Sequence, residues 1–280
     1  MIKLLASDLD GTIIDNDNHI TNEDLQVIQK LNNADVNFAV CTGKTYSMTK
    51  HICSQLNPTY GIFGNGTQIV NLQTGEEIER NVVPNFKAID CLKIAEKNNL
   101  HVHIYTEDKI ISQQQLKYMA FRNYILYKNQ VQFKVVESLE TYIQEKHPNI
   151  LKLVISGEKD LKNIKEQIEK EEDLTAIQIK KYQEYKDNII NQEYEYLDIV
   201  PKHVTKYDAI QQLTHYLNIQ NEEVMAVGDN INDIEMIKHS GVGVAIGDSY
   251  PEVKDVANYV TKNTVKNGGF AEAVYKFIQL

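Results

Sequence analysis

An α/β fold is what this sequence predicts: a doubly wound parallel sheet whose chain is interrupted by an inserted α+β unit. Three observations carry the expectation. Short apolar runs alternate with helical patterns over residues 1–84 and again over 199–280, and successive β-α-β units imply a parallel sheet with right-handed crossovers. Several of those apolar runs end in residues that carry chemistry: Asp8-Leu9-Asp10-Gly11-Thr12, Thr42-Gly43-Lys44 and Gly228-Asp229. Between the two segments, residues 85–198 become rich in Lys, Glu, Gln, Asn and Tyr and lose the alternation. A chain of 280 residues has room for two domains, since one core stops growing at about 250–300 residues.

Taken in order, Ile2-Lys3-Leu4-Leu5-Ala6-Ser7 reads as a buried strand, and alternation past its end points Asp8 and Asp10 the same way. Gly11 lets the chain turn sharply there. Thr21 is placed to cap a helix ending near Asn33, with Asp24 three residues on approximating a capping box. Val36 to Cys41 reads as a second strand, 46–56 as a helix, and Tyr60 to Phe63 as a short strand. That strand runs into the turn Gly64-Asn65-Gly66, and a hairpin extends to Val83. In the inserted unit, helical stretches at 86–98 and 160–171 lie between strand-like runs at 101–105, 151–155, 189–191 and 194–199. After Val200-Pro201 come a helix over 206–217, the strand Val224 to Val227, and a helix over 232–239. The strand Val242 to Ile246, a helix near 250–257, a strand at Tyr259-Val260 and a helix over 269–278 complete the chain.

Composition narrows the function classes. Hydrophobic residues at 42% and charged residues at 24% are globular values. A net charge of −10 supplies no broad basic surface for a nucleic-acid backbone, although one local basic pocket still suffices for a small phosphate. No apolar run approaches the roughly 20 residues a membrane helix needs. The start of the chain has no basic segment followed by a long apolar core, so a cytoplasmic location is expected. Cys41, Cys53 and Cys91 have no metal-ligand spacing and read as reduced thiols. Asn65-Gly66-Thr67 matches a glycosylation acceptor, which carries no weight without a secretory signal. Asp15-Asn16-Asp17-Asn18 fails as a calcium loop, because Ile20 and Gln26 stand where Gly and Glu are needed.

Strand ends on one edge of a parallel sheet converge, and ligands bind there. This edge collects Asp8 and Asp10, Thr42-Gly43, Lys206, and Asp229 with Asn232 and Asp233. Such a set of oxygen ligands suits Mg2+, which takes one or two carboxylates plus water and substrate phosphate. An ammonium with backbone amides suits a phosphate dianion.

Together, Asp8-Leu9-Asp10-Gly11-Thr12, Thr42-Gly43, Lys206 and Gly228-Asp229-Asn230-Ile231-Asn232-Asp233 resemble the four motifs of the haloacid dehalogenase superfamily. Their spacing, and the stretch from Val242 to Phe270, most resemble its Cof-type sugar-phosphatase branch. That branch (type IIB) carries a large α/β cap between the second and third motifs. The resemblance implies a catalytic core over 1–84 and 199–280, and a substrate-specificity cap over 85–198. It further implies Asp8 as a nucleophile giving an aspartyl-phosphate, and Asp10 as general acid and then base. It implies Mg2+ held by Asp8, the Asp10 carbonyl and Asp229, with Asp233 supporting it or bound through water. Phosphate contacts fall to Thr42, the amides of Leu9 and Gly43, Lys206 and Asn232. The sequence departs from the branch at Lys44, where Arg is usual, and at Tyr207, where Gly is usual. Lys202 is the alternative to Lys206, which sits better at the start of a helix.

The expected activity is hydrolysis of small phosphomonoesters with Mg2+. The alternatives are a phosphomutase on the same scaffold, or a phosphate-binding regulatory protein without catalysis. The inserted unit offers His101, His103, Tyr105 and Arg122 as substrate contacts. Sugar phosphates, flavin mononucleotide and pyridoxal phosphate all fit, and the oligomeric state is not legible.

Overall fold

Leu4, Leu5, Ala6 and Ser7 form β1 (Leu4–Ser7), and all four are buried. A strand apolar on both faces belongs inside a parallel sheet. In the computed structural model β1 is flanked in parallel by β2 (Asn37–Cys41) and β12 (Val224–Gly228). The structure describes the chain apart from Asn18 and residues 114–130, 158–160 and 184–191; for 180–183 and 192–194 it describes the backbone alone.

Two units emerge: Met1–Lys44, Thr49–Arg80 and Thr205–Leu280 make one, Thr45–Met48 and Asn81–Val204 the other. The first is built on an eight-stranded sheet in the order β14-β13-β12-β1-β2-β3-β4-β5. Here β3 is Tyr60–Phe63, β4 Gln68–Asn71, β5 Glu77–Arg80, β13 Val242–Ala245 and β14 Tyr259–Val260. Pairing is parallel from β14 to β3 and antiparallel through the hairpin β3-β4-β5. Helices α1 (Asn22–Leu31), α2 (Tyr46–Leu56), α6 (Lys206–Leu217), α7 (Ile234–His239), α8 (Pro251–Lys254) and α9 (Gly269–Phe277) connect the strands. Helix α1 begins as the sequence predicts. The Thr21 hydroxyl accepts from the Asp24 amide (3.1 Å), and Asp24 in turn accepts from the Ala271 amide of α9 (2.8 Å). Such a cap stabilises by about 1 kcal/mol.

The second unit is a six-stranded sheet in the order β10-β11-β9-β6-β7-β8. Its strands are β6 (His101–Tyr105), β7 (Lys109–Ser112), β8 (Gln132–Val135), β9 (Lys152–Ser156), β10 (Leu174–Gln183) and β11 (Gln192–Pro201). Its helices α3 (Asn85–Lys97), α4 (Leu139–Lys146) and α5 (Lys162–Glu171) bury Cys91, Ile94, Ile143 and Ile168 against Ile104, Leu153, Ile155 and Leu197 of the sheet. Alternation sends the intervening side chains to the opposite face. There Tyr105, Ile110, Val154, Ile179 and Tyr196 pack with Met48 and Val131.

The expected boundaries at 84/85 and 198/199 shift for identifiable reasons. Val83 pairs with Ile150, and β11 runs on to Pro201, which pairs with Leu174, so both connecting stretches belong to the second unit. Segment Thr45–Met48 joins it too, because Met48 packs into that sheet face and the Ser47 hydroxyl donates to the Glu107 carbonyl. Strands β7, β8 and β10 and helix α4 were not anticipated. The expected strand at 189–191 lies outside the described residues. Among the described residues, no helix is long and apolar enough to cross a membrane.

Candidate active site

Asp8 continues the line of β1: its amide donates to the Val227 carbonyl (2.9 Å), and the residue is buried. The chain then curls tightly, the amides of Thr12, Ile13 and Ile14 all turning back to the Leu9 carbonyl (3.3, 2.9 and 2.8 Å). Gly11 takes φ +85° here, and a Cβ at that position would fall 2.3 Å from Asp229 Oδ2. Glycine is required twice over, for the left-handed backbone and for the passage beneath a carboxylate. The Thr12 hydroxyl donates to Asp229 Oδ1 (2.9 Å), which ties the first motif to the last.

At the end of β12 the amides of Asp229 and Asn230 both donate to Asp233 Oδ2 (3.0 Å each). At the end of β2, Thr42 is held by its amide to the Ile62 carbonyl (2.9 Å) and by its carbonyl to the Asn65 amide (3.0 Å). A Cβ on Gly43 would sit 3.1 Å from Asn65 Nδ2, so the Asn65 side chain packs closely over this loop. Asn65 Oδ1 accepts from Asn232 Nδ2 (2.9 Å), which orients the Asn232 amide.

Thr205 caps α6, its hydroxyl accepting from the Asp208 amide (3.1 Å), and so fixes Lys206 at the first helical position. Lys206 is almost fully buried. Its Nζ donates to Asp8 Oδ1 (2.8 Å) and Asp233 Oδ1 (2.6 Å). Lys202 instead pairs with Asp173 in the second unit. All of the expected site residues, Asp8, Leu9, Asp10, Thr42, Gly43, Lys206, Asp229, Asn232 and Asp233, belong to the first unit. Hydrogen bonds knit Asp8, Lys206, Asp233 and Asp229 into one cluster and Thr42, Asn65 and Asn232 into a second chain.

The electrostatics are lopsided. Among the described residues, Asp8, Asp10, Asp229 and Asp233 are set against two ammonium groups, Lys206 and Lys44, the latter 2.7 Å from Asp10 Oδ1. Burial pushes the Asp8 carboxyl up to about 6; Lys206 opposes that shift, and Asp233 and Asp10 add to it. Burial works against the charge on Lys206, yet Asp233 and Asp8 outweigh it and hold the ammonium above its ordinary range.

This charge deficit is the test of fit for a metal. Asp8, Asp229 and Asp233 can each offer an oxygen within 4.8 Å of the others, a hard, all-oxygen set of the kind Mg2+ takes. Within that set Asp233 already spends one oxygen on Lys206 and the other on two amides. Asp8 and Asp229 are therefore the carboxylates best placed for direct ligation.

Three contributors escaped the sequence reading: Thr12 on Asp229, Asn65 on Asn232, and the contact of Lys44 with Asp10. Asn65 had a signal of its own, a Gly-Asn-Gly turn at a strand end where Asn adopts φ 60°. Of the residues suggested in the inserted unit, His103 and Tyr105 are buried and His101 half-buried; Arg122 lies outside the described residues. Burial and neighbouring His101 push His103 down to about 4.

The chain matches the model of the haloacid dehalogenase-like hydrolase family over residues 5–274. A Streptococcus pyogenes serotype M6 protein provisionally named a phosphatase is 28% identical over 283 residues, covering 99% of this chain and 98% of its own. The HMP-PP phosphatase of Shigella boydii is 25% identical over 91% of each chain. A solved subclass IIB sugar phosphatase superposes with a TM-score of 0.77 at 20% identity, over 98% of both chains, a likeness of fold.

Proposed function

We propose, from the premise that this chain belongs to the haloacid dehalogenase-like hydrolases and is a phosphatase, that it hydrolyses small phosphomonoesters with Mg2+ through an aspartyl-phosphate on Asp8. The observation that carries this reading is the buried Lys206 ammonium spanning Asp8 and Asp233 beside Asp229. A buried lysine between two carboxylates organises anions for a further charge, and the surplus of negative groups leaves a place for a divalent cation.

When bound, Mg2+ supplies charge neutralisation between a carboxylate and a phosphate dianion and stabilises the equatorial oxygens. Asp8, the Asp10 carbonyl and Asp229 would hold it, with Asp233 acting through Lys206 and the Asp229 loop. Asp8 Oδ attacks phosphorus in line as the bond to the leaving oxygen breaks, and Asp10 gives that oxygen its proton. Asp10 then takes a proton from water as the water oxygen attacks phosphorus and the Asp8–phosphorus bond breaks. Thr42, the amides of Leu9 and Gly43, and Asn232 steadied by Asn65 would hold the phosphoryl oxygens throughout. The second unit is the specificity element in this reading. A cytoplasmic enzyme is in keeping with three buried free thiols. Relatives named for different substrates support a substrate class, small phosphate esters, and not one compound.

The test is phosphate release from a metabolite panel, with Mg2+ and with a chelator. Release from at least one small monoester only with Mg2+ is expected. Silence across the panel returns the case to a binding protein, and isomer formation without phosphate release favours a mutase.

A further inference from the structure

Lys44 directly follows the Thr42-Gly43 phosphate loop, and its side chain crosses to a different strand end. Its backbone is pinned on both sides, the amide donating to Thr42 Oγ1 (3.2 Å) and the carbonyl accepting from the Gly64 amide (2.9 Å). From that anchored Cα the ammonium reaches Asp10 Oδ1 at 2.7 Å, with Lys44 and Asp10 side chains 16% and 27% exposed. Asp10 sits in the tight curl after β1, where the Gly11 amide donates to the Ile14 carbonyl (2.7 Å). Its backbone is fixed, its carboxyl is partly exposed, and the rotamer that carboxyl adopts decides where a proton on it can be delivered.

We propose that Lys44 is a positioning residue for Asp10, holding its carboxyl in the rotamer that delivers a proton to the leaving oxygen. The inference rests on the phosphatase reading above and adds a role for a residue outside the nucleophile's own cluster. Proton delivery is orientation-limited: about an ångström of misplacement costs roughly 100-fold in rate. An ammonium at charge-assisted hydrogen-bond distance restrains that carboxyl directly. The chemistry it supports balances. Phosphorus passes from the leaving oxygen to Asp8, and the proton passes from Asp10 to that oxygen. In the second half-reaction water returns a proton to Asp10 and an oxygen to phosphorus. Lys44 neither gains nor loses a proton in either half.

The rival role for a lysine beside the phosphate loop is neutralising the phosphate itself, and the two roles separate on the leaving group. An alkoxide needs the proton from Asp10, whereas p-nitrophenolate departs without it. The experiment compares kcat/KM, which reports the steps through first phosphoryl transfer, for the best alkyl phosphate of the panel and for p-nitrophenyl phosphate. Lys44→Met is expected to lose roughly 10- to 100-fold on the alkyl ester and less than about 3-fold on the aryl ester. Lys44→Arg, which keeps a cation in reach, is expected to recover most of the alkyl loss. In an Asp10→Asn background, Lys44→Met should have no further effect on the alkyl ester.

Equal losses on both esters, or an undiminished loss in the Asp10→Asn background, would overturn the proposal in favour of phosphate neutralisation. An unchanged alkyl rate would overturn it outright. Thermal unfolding of each variant separates a folding defect from a positioning defect, and Lys44→Gln replaces Lys44→Met should the latter melt early. A wild-type protein inert on both esters would instead defeat the phosphatase reading, so the two failures are told apart.

Discussion

Each of the two units buries a lysine against an aspartate, and the two arrangements differ in balance. In the core, Lys206 is shared by Asp8 and Asp233, with Asp229 close by and Asp10 held separately by Lys44. In the inserted unit, Lys152 meets Asp198 at 2.7 Å, the two side chains 7% and 1% exposed, with the ammonium 5.0 Å from the centre of the Tyr105 ring. Among the described residues this is one ammonium on one carboxylate, which settles its own charge. Four carboxylates around two ammonium groups do not. Buried charge in itself is therefore a poor sign of function; a buried surplus of one sign at a strand end is a better one, because it leaves work for a cation and a substrate.

The comparison can be broken most forcefully at Asp8. Asp8→Asn should lower turnover by about 10⁴-fold or more while leaving the fold intact, as removal of a nucleophile does; circular dichroism beside a phosphate assay checks both halves. Retained activity would dissolve the distinction between the clusters. Next in size is the inserted unit's own pair. Lys152→Met leaves Asp198 buried without its ammonium and should cost about 3–5 kcal/mol, whereas the double replacement Lys152→Met with Asp198→Leu should restore most of it. Denaturant unfolding measures both, and a single variant as stable as wild type would show that the pair is not the structural device described.

The smallest effect, of opposite sign in the two units, is on pH. The Asp8 carboxyl is raised towards about 6 without metal. Its contribution to stability is therefore present below the ordinary carboxylate range and lost as pH rises through about 6. Metal-free Asp8→Asn should accordingly be more stable than wild type at pH 7–8, by on the order of 3 kcal/mol, with the gap closing towards pH 4. His103 is held down near 4, so its contribution is complete above the ordinary histidine range and lost as pH falls through about 4. Chelator-treated protein melted across pH 4–8 would test this, and a wild-type and Asp8→Asn pair whose difference is flat with pH would contradict it.

Legibility followed the same division. The core's elements were readable because buried parallel strands are continuous apolar runs: α2, β3 and β14 fall on the residues expected, and α6 opens at Lys206 behind its Thr205 cap. The site's motifs were readable because each stands at a strand end or, for Lys206, at the start of a helix. The inserted unit hid more. Strand β8 carries Gln132 and Lys134 on a mostly exposed ribbon, and α4 buries only Leu139 and Ile143, too few positions to mark a helical face. Strand β10 begins just after the Lys/Glu-rich α5 and carries lysines of its own. Cross-strand contacts such as Lys44 with Asp10, or Thr12 with Asp229 across 217 residues, leave no local trace, since nothing in the spacing says which strand ends are neighbours.

Trapping the covalent intermediate tests the central claim most directly. The protein is mixed with Mg2+ and a radiolabelled phosphomonoester that it turns over, quenched in acid within a single turnover, and digested. Label on the peptide that carries Asp8, absent from Asp8→Asn, is the expected result. Turnover with no labelled peptide, or with the label on another residue, would contradict the account.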